Sequence, residues 1–85
     1  MVFLGIKKVV VGTEAIKISE GMQPKTLIVQ NLSASDIYLT SDPHSPITEG
    51  VKIDANGGSY SNDFAKKEYY LLSASSGLDV RVEEN

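Results

Sequence analysis

Glu68-Tyr-Tyr-Leu-Leu-Ser-Ala-Ser-Ser-Gly-Leu-Asp-Val-Arg-Val-Glu83 is the stretch on which the fold turns. Two strand-like runs flank a Ser-Ser-Gly turn, and in the second run Leu78, Val80 and Val82 alternate with Asp79, Arg81 and Glu83. A period of two marks a strand with one buried face, because successive side chains leave the pleat on opposite sides. The spacing predicts a closing β-hairpin. Upstream, the same signature recurs. Val9-Val-Val11 is a β-branched run closed by Gly12, and Ile16 and Ile18 flank Lys17. Lys25-Thr-Leu-Ile-Val-Gln-Asn31 is the most apolar run and is expected at the centre of a sheet. Ile37-Tyr-Leu-Thr40, Val51-Lys-Ile53 and Ser59-Tyr-Ser-Asn-Asp-Phe64 follow; the last places Tyr60, Asn62 and Phe64 on one face.

Turn signals separate these runs. Asp54-Ala-Asn-Gly-Gly58 is the strongest, since Asn-Gly supplies the positive φ that tight hairpins require. Helical periodicity is poor; only residues 63–68 have room for a helical turn, and they lack an apolar stripe. The expected class is all-β, a small antiparallel β-sandwich or jelly roll of about seven or eight short strands. Its expected inward positions are Val9, Val11, Ile16, Ile18, Leu27, Val29, Ile37, Leu39, Val51, Ile53, Leu71, Val80 and Val82.

A chain of 85 residues makes one domain, read as residues 9–85 preceded by an N-terminal strand or arm over residues 1–8. So short a chain has a thin margin of stability. It has no cysteine for disulfides or thiolate metal sites and a single histidine, which leaves self-association or docking on a larger assembly as the added support. The formal charge of −3, with eight scattered basic residues, argues against a phosphate-binding face, so no nucleic acid is expected. Lys7 and Lys8 interrupt the apolar start and come after the first apolar residues, the wrong order for a signal peptide. No membrane span and no export signal are expected.

Side chains with chemistry are few. His44 lies between Pro43 and Ser45 in the proline-rich run Ser41-Asp-Pro-His-Ser-Pro46, without the strand–turn–helix context that a hydrolytic triad needs. The acids beside the turns lack D-x-D-x-D spacing for calcium. The expectation is no catalytic, cofactor or metal residues, and no enzyme. The candidate contact residues are instead Met1, Val2, Phe3 and Leu4, an apolar tip suited to edge-strand addition; Pro43, His44 and Pro46 in the stiff loop; and Tyr69 and Tyr70, which must leave a strand on opposite faces. Tyr38, Tyr60, Tyr69 and Tyr70 also open a second class, a carbohydrate-binding or host-attachment module with stacking tyrosines.

With the runs laid out, their order resembles that of small phage and prophage virion structural proteins. The features are Val9-Val-Val-Gly-Thr13, then Leu27-Ile-Val-Gln-Asn31 and Asp36-Ile-Tyr-Leu39, then Gly50-Val-Lys-Ile53 with Asn56-Gly-Gly58. The close is Tyr70-Leu-Leu-Ser-Ala-Ser-Ser-Gly-Leu-Asp-Val-Arg-Val82. The loop at residues 41–46 is longer and stiffer than that pattern. What the resemblance implies is a non-enzymatic capsid decoration or cement protein, or a head-fibre, collar or tail accessory piece. It also implies the major capsid protein or another virion protein as partner, a homo-oligomer with a trimer favoured, and residence in the virion after synthesis in the host cytoplasm.

Overall fold

The alternating runs pair into two four-stranded antiparallel sheets, in a computed structural model that describes residues 6–21 and 25–84. The strands are β1 (Ile6–Val11), β2 (Ile16–Ser19), β3 (Lys25–Asn31), β4 (Ile37–Thr40), β5 (Val51–Ile53), β6 (Ser59–Ala65), β7 (Tyr69–Leu72) and β8 (Leu78–Glu84). One sheet has the order β1-β8-β3-β6 and the other β2-β7-β4-β5. Strand 1 pairs with 8, 2 with 7, 3 with 6 and 4 with 5. These are four nested pairs of one long hairpin, rolled up so that β8 also meets β3 and β7 also meets β4. That is the jelly-roll form of the sandwich.

The rolling corrects the reading of the C-terminal stretch. β7 and β8 are not a hairpin, because they belong to different sheets and the connection through Gly77 (φ 74°) crosses between them. The Asn56-Gly57 turn has the expected positive φ values, 62° and 102°, yet it too carries the chain from one sheet to the other. β4 and β5 are the pair of consecutive strands that bond to each other, across the long loop of residues 41–50. That loop contains the 3-10 turn Ile47–Glu49, whereas residues 63–65, where a helical turn had room, are strand.

The core lies between the sheets and holds Val9, Val11, Ile18, Leu27, Val29, Ile37, Leu39, Ile53, Ala65, Leu71, Leu78, Val80 and Val82. β3 is central, as its composition predicts. Ile16 and Val51 differ from expectation. They pair in the inward register with Leu71 and Leu39, but they sit on edge strands and remain 39% and 53% exposed. Phe64 is also turned out, at 63% exposure, and Ala65 takes the inward place. A bulge causes this: Leu27 pairs with Asn62 and Lys25 with Ala65, so β6 spends one residue more than β3 over the same span. The Asn62 side chain holds the bulge by accepting the Phe64 N–H at 2.9 Å.

Polar groups close both ends of the core. At one end Glu84 faces Lys7 at 3.8 Å and Lys25 at 3.7 Å, and Lys25 also donates to Ser19 Oγ and the Glu20 carbonyl of the opposite sheet. Lys25 and Glu84 are largely buried and belong to one sheet, and Lys25 ties this pair to the other through Ser19 and Glu20, forming a clamp. Glu84→Gln removes the carboxylate from Lys7 and Lys25, which keep their bonds to Ile18, Ser19 and Glu20, and is expected to lower stability by about 1–2 kcal/mol, read as a lower urea midpoint; an unchanged midpoint would show that the clamp is idle. At the other end the Asn31 side chain is fully buried. Its Nδ2 donates to the carbonyls of Ser35, Ile53 and Asp54, and its Oδ1 accepts from the N–H and hydroxyl of Ser33.

Candidate functional site

With the inward positions occupied by core, function falls to the two outer faces and the loops. On the β1-β8-β3-β6 sheet, the cross-strand register gives two outward rows: Ile6, Glu83, Ile28 and Ser61, then Lys8, Arg81, Gln30 and Ser59. Val10 and Asp79 start a third row, and Leu32 adjoins it through its N–H to the Asp79 carbonyl at 3.0 Å. Ile6, Val10 and Leu32 are exposed, Ile6 by 69%. A shallow groove of about 360 Å³ runs between Ile6, Ile28, Gln30, Leu32, Arg81 and Glu83. This face combines exposed apolar side chains with an Arg81–Asp79 ion pair. It was not singled out from the sequence, although the signal is present: Ile6 and Val10 are out of phase with the buried Val9 and Val11.

On the other sheet the outward positions are Lys17, Tyr70 and Thr40 in one row and Leu72, Tyr38 and Lys52 in the next. Tyr70 and Tyr38 are therefore diagonal neighbours across β7 and β4. The Tyr70 hydroxyl donates to Glu68 Oε1 at 2.9 Å, and Lys17 Nζ donates to Glu68 Oε2 at 3.3 Å and Glu20 Oε1 at 3.5 Å. Lys52 lies 3.6 Å from Asp54 and 4.0 Å from Asp36. The hydrogen bond from Tyr70, then that from Lys17, holds the Glu68 carboxyl below the usual carboxylate range. The same contacts with Glu68 push the Tyr70 phenol and the Lys17 ammonium up.

The lowered Glu68 value contributes stability above the ordinary carboxylate pKa and loses it as pH falls through the folded value. The raised Tyr70 value contributes below the ordinary phenol pKa and loses it as pH rises through its own folded value. The Tyr70–Glu68–Lys17 group is thus complete from weakly acidic to weakly alkaline pH. Tyr70→Phe is expected to move the Glu68 titration midpoint up toward the ordinary range in carboxylate-detected NMR; an unmoved midpoint would mean that the phenol does not hold this carboxylate.

The contact residues named from the sequence separate. Met1, Val2, Phe3 and Leu4 lie outside the described residues. Ile6–Lys8, placed with the arm in the sequence reading, run on without a break into Val9–Val11 as one strand. Pro43, His44 and Pro46 are exposed on the loop that leaves Thr40, where Asp42 Oδ1 accepts the His44 N–H at 2.9 Å. Of the adjacent tyrosines, Tyr70 faces outward. Tyr69 packs on the core with Tyr60, and Asn62 Nδ2 donates to both of their hydroxyls, at 3.4 and 3.2 Å. Burial, then proximity to Tyr60, pushes the Tyr69 phenol up.

No group of three or more His, Cys, Asp or Glu side chains is gathered in metal-binding geometry among the described residues. No helix there is long and apolar enough to cross a membrane. Comparison with family models, curated proteins and solved structures returned no match to this chain.

Proposed function

We propose that the chain is a non-enzymatic structural protein of a bacteriophage virion, a decoration or cement protein that docks on the head shell and stabilises it. The observation that carries this reading is the outer face of the β1-β8-β3-β6 sheet, where Ile6, Val10, Ile28 and Leu32 stand around the Arg81–Asp79 ion pair. Apolar side chains set among charged ones suit a contact that is buried only on assembly. Two further lines support it. The order of strand motifs resembles small phage virion proteins, and the jelly roll is a fold of viral shells, a fold-level analogy that also extends to lectins.

The mechanism is physical. Each copy buries a modest patch across a capsomer boundary, and the patches summed over a shell oppose its expansion under internal pressure. The acidic chain suits a basic docking surface on the major capsid protein, so the encounter rate falls with added salt. Association as a trimer would support the small core, and light scattering should then give three times the chain mass of 9.2 kDa. Ile28→Glu places a charge on the outer face, away from the core. The folded variant is expected to lose about tenfold or more of its co-sedimentation with purified shells. Co-sedimentation equal to wild type would remove this face from the proposal.

A further inference from the structure

The opposite face has a different chemistry. Tyr38 and Tyr70 are both half-buried on the outward side of the β2-β7-β4-β5 sheet, on neighbouring strands and one register step apart. Each has a lysine directly opposite on the flanking edge strand: Lys17 beside Tyr70 and Lys52 beside Tyr38. Each lysine in turn meets two carboxylates, Glu68 and Glu20 for Lys17, Asp36 and Asp54 for Lys52. The Tyr70 ring is also tethered, since its hydroxyl is bonded to Glu68.

We propose that Tyr38 and Tyr70 form a stacking platform for a neutral pyranose oligosaccharide, with the Lys17–Glu68 and Lys52–Asp54 pairs binding its hydroxyls at either rim. A pyranose ring presents a face of C–H bonds with partial positive charge, which suits the negative face of an aromatic ring. Its hydroxyls both donate and accept, and each rim offers an ammonium donor next to a carboxylate acceptor. Charge selects the ligand class: two lysines face four carboxylates, so uronates, sulfated sugars and phosphates are repelled. The tether lowers the ordering cost of Tyr70 on binding. This platform is independent of shell docking, which uses the other sheet.

The test is titration of the isotopically labelled full chain with maltohexaose, cellohexaose and chitohexaose, with hexagalacturonate as the anionic control, followed by NMR. At least one neutral hexaose is expected to give saturable shifts at Lys17, Tyr38, Thr40, Lys52 and Tyr70. Tyr38→Ala and Tyr70→Ala should each weaken that binding by about tenfold. Tyr70→Phe keeps the ring and loses the tether, so it should weaken binding by less. Ser61→Ala, on the outer face of the other sheet, should leave it unchanged. The proposal is overturned by no saturable binding to the neutral sugars, by tighter binding of hexagalacturonate, or by shifts confined to the other sheet. It is equally overturned if both Ala variants bind like wild type.

Discussion

Asn31→Ala is expected to destabilise the domain by about 3–5 kcal/mol, the sum of several buried polar groups losing their partners at roughly 1–3 kcal/mol each. The reason is the number of chain segments that meet at one amide. Its two ends satisfy the carbonyls of Ser35, Ile53 and Asp54 and both donors of Ser33, while its own backbone bonds Gly58 and Gly57. It thereby joins the end of β3 to the turn after β5 and the start of β6. Truncation takes the donor from the buried Ile53 carbonyl and from the part-buried Ser35 and Asp54 carbonyls, and the acceptor from Ser33. Gly58 belongs to the same knot, since a Cβ there would stand 2.3 Å from the Asp54 carbonyl oxygen. Asn31→Asp keeps the size and the acceptor but turns the donor into a second anionic oxygen facing three carbonyls. It should therefore be less stable than wild type despite its shape. Urea denaturation followed by circular dichroism checks both variants. A midpoint within experimental error of wild type for Asn31→Ala would mean that the knot contributes little.

Leu27→Ala should have a similar effect, about 3–5 kcal/mol, because a fully buried leucine leaves a cavity that two packed sheets cannot close. Leu27 lies on the central β3, between Glu84 of β8 and Asn62 of β6. A domain of this size has on the order of 5–10 kcal/mol in total, so the variant should be unfolded in part at ambient temperature. Val10→Ala is the matched control. Val10 stands on β1 only two residues from a Lys8 row and faces outward, so its loss should hardly move the midpoint. Equal losses at Leu27 and Val10 would contradict the assignment of faces.

Much of this fold is written locally, and the remainder depends on pairing. Alternation placed Val80 and Val82 inward, and the uninterrupted apolar character of β3 marked its central position. Ile16 and Val51 carry the same alternation, but each stands at the first position of an edge strand, a property of the assembled sheet, and stays exposed while Ile18 and Ile53 further along the same strands are buried. The bulge that exchanges Phe64 for Ala65 arises from the β3–β6 register, which no local run of β6 reports. Turn residues at Asn56, Gly57 and Gly77 announce that the chain changes direction. They do not state whether the next strand rejoins the same sheet, which is why two crossings read as hairpins. For the outer faces, Tyr70 was legible because adjacent strand tyrosines must diverge. Leu71, expected inward from the sequence and buried in the structure, also sets Tyr69 inward by alternation, whereas the Ile6–Ile28–Leu32 face required strands distant in sequence to be laid side by side.

The central claim, that this domain acts through its outer surface as part of a virion shell, is tested most directly by quantitative mass spectrometry of purified particles. The account predicts the chain in intact virions at a fixed, symmetry-related ratio to the major capsid protein. It also predicts particles without the chain that burst at lower temperature or lower external osmolarity. Particles that lack the chain altogether, or that withstand the same stress without it, would contradict the claim.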